Sequence, residues 1–202
     1  QSTQGVDMEA VMQPLTPEVI EEAREKVGIA TSLLISPVGA NGRGGGMAFY
    51  ANALVQCRIE YTNKVGGHPL PTAGVSVTDK VNFYINPHFA LSLTTNKIMQ
   101  LIRHEMEHVL NLHMLRGKEL MQQAGNGSDR QNAEIHKLYN IATDANINVP
   151  LTDLTADLGV TIERINEQFA QYGSKIRLDP ADASEVHFWK MRQFQEEQGE
   201  KL

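Results

Sequence analysis

Five consecutive residues, His104-Glu105-Met106-Glu107-His108, hold the side chains of this chain best suited to chemistry. Their pattern is HExxH. On an α-helix of about 3.6 residues per turn, positions i and i+4 differ in direction by only about 40°. The two imidazoles therefore leave one face, a turn apart, and can converge on one cation. Neutral imidazole is a good zinc ligand, and two of them with a third protein group leave a fourth position for water. Glu105 stands beside the pair, where its carboxylate can take a proton from such a water. Glu107 should point away from the metal and be solvated or salt-bridged.

Such a motif needs a real helix to position it. Thr94 or Thr95 can cap one, and Ile98, Leu101, Ile102, Met106, Val109 and Leu112 recur at three- and four-residue steps. Gly117 is a plausible stop. A surface helix with two unrelated histidines is the bland alternative, and it leaves a second matching segment downstream unexplained.

Two histidines do not complete a site. His113 follows His104 by nine residues, which on a continuous helix turns it about 180° away. No glycine or proline breaks Val109-Leu110-Asn111-Leu112, so a structural or ligand-supporting role suits His113 better. On the next helix, His136, Asn140 and Asp144 share a broad face at four-residue steps. Asp144 lies in a neutral, rather apolar segment, and a buried carboxylate needs a partner such as a metal. An ordinary exposed Asp is an equal reading of the same residues.

The elements that must position these groups read as follows. Residues 1–15 form a polar tail; Thr16-Pro17-Glu18 opens a helix running to about Leu34, with a weak point at Gly28. Asn41 to Gly46 lacks the order of a phosphate-binding loop and reads as a flexible connection. The stretch from Met47 to Lys64 is strand or helix, and Gly66 to Pro71 is a loop. Gly74–Val77 and Val81–Ile85 flank a polar turn and suggest a hairpin. Asn86-Pro87 then turns the chain toward the HExxH helix. A second helix runs from Asp129 to about Asn148, a third starts at Thr161 and stops at Gly173, and a fourth covers about 181–198.

With 202 residues, 41% hydrophobic and 21% charged, the chain can bury a core. A net charge of −6 argues against a nucleic-acid or anionic-membrane binder. The single cysteine, Cys57, excludes an intrachain disulfide framework and reads as a buried thiol. No apolar run approaches a membrane span, and no signal-peptide pattern opens the chain. The expectation is a soluble, cytoplasmic protein. Its first residue is Gln, as in a processed chain or one part of a longer product.

PTAGVSV, VNFYINPHF, HEMEHVLNLHMLR and NIATDANIN follow one another over about Thr72 to Asn148. In this order they resemble the putative metallopeptidase domain family of bacterial and phage proteins, which is often joined to a von Willebrand factor A-like domain. Two departures stand out: the connection from Lys118 to Asp129 is longer than the family pattern, and 202 residues leave no room for the second domain. The resemblance implies an α+β, zincin-like fold with a small sheet or hairpin packed on a helical core and the HExxH helix central. It implies His104 and His108 as Zn2+ ligands, Glu105 as catalytic base and Asp144 as third ligand. It also matches His113 and Arg116, as groups that orient ligands or hold the helix pair together. The organisation expected is a tail over 1–15, a metallopeptidase-like domain over 16–150 and a helical extension over 151–202 packed on it.

The function expected is zinc-dependent hydrolysis of a peptide or protein substrate, with Tyr139, His113 and Arg116 as candidate oxyanion donors. A metal-stabilised binding or assembly module in a larger complex is the alternative, and a hydrolase acting on a non-peptide bond is a third. His68, His88, His136 and His187 are assigned no role.

Overall fold

The computed structural model describes residues 6–37, 47–124, 128–156 and 159–199. The Asn41–Gly46 connection, and most of the glycine-bearing link before Ser128, lie outside the described residues. In chain order the elements begin with α1 (Met8–Val11) and α2 (Pro17–Ile35), followed by α3 (Phe49–Gln56) and β1 (Cys57–Tyr61). Next come β2 (Lys64–Val65), β3 (His68–Pro69), β4 (Ala73–Val77) and β5 (Val81–Ile85). The remainder is helical: α4 (Pro87–Ser92), α5 (Thr95–Leu110), α6 (His113–Ala124), α7 (Asp129–Ile147), α8 (Thr152–Thr155), α9 (Ile162–Gln171) and α10 (Ser184–Gly199). The architecture is α+β.

The expected hairpin forms, with β4 and β5 antiparallel from Ala73↔Ile85 to Val77↔Val81. A third strand, β1, lies parallel to β5 on its other side, giving the order β1-β5-β4. The Met47–Lys64 stretch, ambiguous by periodicity, resolves into a helix followed by that strand. Residues 66–71, expected as loop, instead contribute β3, which pairs with β2 around Gly66 and Gly67. Both glycines have positive φ (56° and 80°), the backbone a tight hairpin turn requires and glycine adopts without strain. α2 runs through Gly28 uninterrupted, capped by Thr16 with Pro17 in its first turn. Cys57 is half-buried and its thiol donates to the Ala53 carbonyl.

Two apolar clusters organise the packing. The first joins α2 (Ala23, Val27, Ala30, Leu34), the sheet (Phe83, Ile85) and α5 (Ile98, Leu101, Ile102, Met106). Val11 of the N-terminal segment is buried in it, and the Asn86 side chain donates to the Val11 carbonyl at 2.8 Å. The second joins α6, α7, α9 and α10 through Leu120, Leu138, Tyr139, Ala142, Phe169 and Phe188. Ile147, at the end of α7, and Leu151 and Leu154 beyond it return to the first cluster. Among the described residues, no helix is long and apolar enough to cross a membrane.

Candidate metal centre

Thr94 caps α5, its hydroxyl accepting from the Lys97 amide at 3.3 Å. Ile98, Leu101, Ile102 and Met106 bury one side of the helix, and that packing fixes its rotation. Ser128 caps α7 in the same way, and Ile135, Leu138, Ala142 and Ala145 bury its inner stripe. Where the two helices meet, His104 and Glu105 of α5 and Asp144 of α7 are buried, and His108 is partly so.

Three donor atoms converge there. His104 Nε2 lies 3.4 Å and His108 Nε2 3.1 Å from Asp144 Oδ1, and the two imidazole nitrogens are 3.1 Å apart. Tetrahedral zinc with bonds of about 2.0–2.1 Å places its ligand atoms about 3.3–3.4 Å from one another. The triangle fits that edge closely. Glu105 adjoins it, 2% exposed, and its Oε1 is buried with no hydrogen-bond partner. A partnerless buried carboxylate oxygen is costly unless a proton, a water or a cation serves it.

The other ring nitrogens fix the tautomers. His104 Nδ1 is 2.7 Å from Asn148 Oδ1 and donates to it, while the Asn148 amide donates to the Val160 carbonyl. His108 Nδ1 lies 3.3 Å from His113 Nδ1. Burial, with His108 and Arg116 nearby, lowers the His113 pKa to about 4, so His113 is neutral and able to accept from His108. Both Nε2 atoms are therefore the ones turned toward Asp144, able to donate to its carboxylate when protonated and to bind a cation when not. Burial opposes charge on His104, but Asp144, Glu105 and Asn148 outweigh it and raise its pKa above the ordinary imidazole value. Burial likewise opposes the charged form of Asp144, and the two imidazoles more than compensate, holding the carboxyl well below the usual range.

His113 reaches this place because the helix breaks, against the sequence expectation. α5 ends at Leu110, Leu112 takes φ = 53°, and α6 starts at His113. A left-handed leucine costs about 1–2 kcal/mol, and no glycine or proline announces it. Gly117 is not a stop. It lies inside α6, where an added Cβ would come within 3.0 Å of the Tyr139 ring; the missing side chain lets α6 and α7 approach.

Arg116 and Tyr139 sit beside the centre rather than in it. Arg116 pairs with Glu185 at the start of α10, and the Tyr139 hydroxyl donates to the same carboxylate at 3.1 Å. The ion pair and hydrogen bond tie α6, α7 and α10 together. Glu107 points away, as expected: its carboxylate accepts from the Tyr50 hydroxyl at 2.5 Å and from Asn111 at 2.9 Å. His68 is exposed on β3, His88 contacts the Pro14 carbonyl, and buried His187 reaches the Asp179 carbonyl. His136, assigned no role from sequence, joins Glu105, His108, His113 and Asp144 in lining a cleft of about 420 Å³, with Gly74–Val77 of β4 as the facing wall. Sequence reasoning missed Glu185 altogether, since neither spacing nor motif marks it. Asn148 stood within the quoted NIATDANIN block without a role.

No curated protein and no solved structure matches the chain. A family model does, over residues 45–172, and its description is putative metallopeptidase domain. The match spans more than half of the chain and takes in both helices of the triangle and the strand that faces it. The chain belongs to this putative metallopeptidase domain family.

Proposed function

We propose that the protein is a zinc-dependent peptidase of zincin-like architecture, with His104, His108 and Asp144 as ligands and Glu105 as general base. The observation that carries this reading is the near-equilateral triangle of donor atoms beside the partnerless Glu105 oxygen. A zinc ion held there would supply a Lewis acid and bring the pKa of its water to about 7. Glu105 then accepts the proton of the attacking water at its carboxylate and passes it to the leaving amine. Asn148 and His113 hold the two ligand imidazoles in the required tautomers. β4 pairs with β5 on one side, and its residues line the cleft over the centre. An extended peptide adds to that strand by main-chain hydrogen bonds, which brings a scissile carbonyl over the triangle.

The test is cleavage of a mixed peptide library by zinc-loaded protein beside Glu105→Gln at equal zinc content. Cutting by the wild type, with a loss of about 10²–10⁴-fold in the variant, is the expected result. Silence from both would move the weight to a metal-stabilised assembly module.

A further inference from the structure

A second cavity, of about 870 Å³, opens between α7 and α9. It is larger than the cleft over the metal centre, and His136, Asn140 and Asp144 line both. These three stand at four-residue steps along α7, so the two spaces are the flanks of one ridge and Asp144 is where they meet the centre. The size falls in the range of ligand pockets.

The groove carries several hydrogen-bond donors, two of them cationic. Lys137 is exposed and has neither ion pair nor hydrogen bond among the described residues. Arg164 donates to the carbonyls of Gly159 (2.8 Å), Ala156 (3.0 Å) and Thr155 (3.2 Å). Those partners fix the guanidinium, and among the described residues no carboxylate pairs with it. Asn140 Nδ2 contacts His136 Nδ1 at 3.2 Å; an amide nitrogen only donates, so Nδ1 accepts and the Nε2–H offers a further donor. Against these stand Glu167 on α9 and Asp144 itself, and Asp144 is engaged by the two histidines.

Resting on the peptidase reading, we propose that the α7–α9 groove is a substrate subsite for a carboxylate, recognised by Lys137 with Arg164 and His136. The proposal lets the peptide cross the α7 ridge and continue along that helix. Lys137 precedes Asp144 by seven residues, about 10 Å along a helix rising about 1.5 Å per residue. An extended peptide rising about 3.3 Å per residue covers that in three residues. The carboxylate is therefore an acidic side chain, or the chain end, about three residues from the scissile bond.

The experiment uses zinc-loaded Glu105→Gln protein, which holds peptide without turnover, and fluorescent alanine–serine peptides with one Glu or one Lys scanned through every position. The expected result is tighter binding, by about tenfold, for Glu at one position, with Lys137→Glu removing that preference or reversing it toward Lys. Equal binding of the Glu and Lys series, a preference that survives Lys137→Glu, or no binding of either series overturns the subsite. Cleavage by the wild-type protein is scored separately. Cutting without acidic preference retires the subsite and keeps the peptidase; Lys137-dependent binding without cutting keeps the groove and retires the peptidase.

Discussion

The two apolar clusters are built differently, and the candidate metal centre lies on their seam. The first wraps a three-stranded sheet and α2 around α5, and contributes His104, Glu105 and His108. The second is a helical cluster, and contributes Asp144 from α7. Each cluster holds its own helix rigidly, yet neither alone completes the triangle. Among the described residues the polar links across the seam include His104 to Asn148, both histidines to Asp144 and His108 to His113, and the apolar Ile147 returns into the first cluster. A metal here would act as a clamp between two halves as well as a reagent. Positional precision then comes from hydrophobic packing on either side, and the chemistry sits where the two packings meet.

Cutting the clamp should have the largest effect. His108→Ala or Asp144→Ala removes one of the three proposed ligands, and zinc affinity should fall by at least about a hundredfold, read by competition with a chromophoric chelator. Full affinity in Asp144→Ala would shift the third ligand to another residue and leave the second cluster without a part in the site. Asn148→Ala tests the support that the end of α7 gives to His104: it leaves all three proposed ligands and should cost about 10–100-fold in zinc affinity.

Acidity loosens the clamp with a sign that differs between the metal-free and zinc-loaded forms. The folded pKa of His104 lies above its unfolded value of about 6.5. In metal-free protein its contribution to stability is therefore complete below that pH, and is lost as pH rises through the folded pKa. Asp144 works oppositely. Its folded pKa is depressed, so its contribution holds above about pH 4 and fades as pH falls further. Zinc needs neutral imidazole and displaces the His104 proton. The gain in Tm on adding zinc should accordingly grow from pH 6 toward and beyond pH 8; a gain independent of pH would mean that zinc does not bind at His104.

Smaller effects probe how the second cluster is closed. Gly117→Ala forces a Cβ against the Tyr139 ring and should destabilise by about 1–3 kcal/mol in urea unfolding. Leu112→Gly should be nearly neutral, or stabilising by up to about 1 kcal/mol, because glycine accepts the left-handed backbone and the lost leucine side chain is 55% exposed. A clear loss of stability there would show that the Leu112 side chain packs usefully.

The sequence reveals the first half of the site more readily than the second. HExxH spacing, a threonine cap and a three- and four-residue apolar repeat are local signals, and α5 obeys them. The β4–β5 hairpin is local too. β1 was harder: its partner is β5, twenty-four residues on and parallel, and only tertiary packing chooses that pairing. Asp144 could not be separated from a solvated aspartate by spacing alone, because what buries it is the approach of α7 to α5. The break at Leu112 has no sequence mark. It is imposed where α6 must turn to pack Gly117 on Tyr139 and set His113 against His108, so geometry across three helices overrides the local preference of leucine. Glu185 is invisible for the same reason, lying 69 residues from the Arg116 it pairs with.

Anomalous diffraction at the zinc edge, from crystals grown with zinc, tests the central claim most directly. The account predicts one full-occupancy peak at about 2.0–2.2 Å from His104 Nε2, His108 Nε2 and an Asp144 carboxylate oxygen. A peak on a different ligand set, such as one including His113 or His136, or the absence of any peak between α5 and α7, would contradict it.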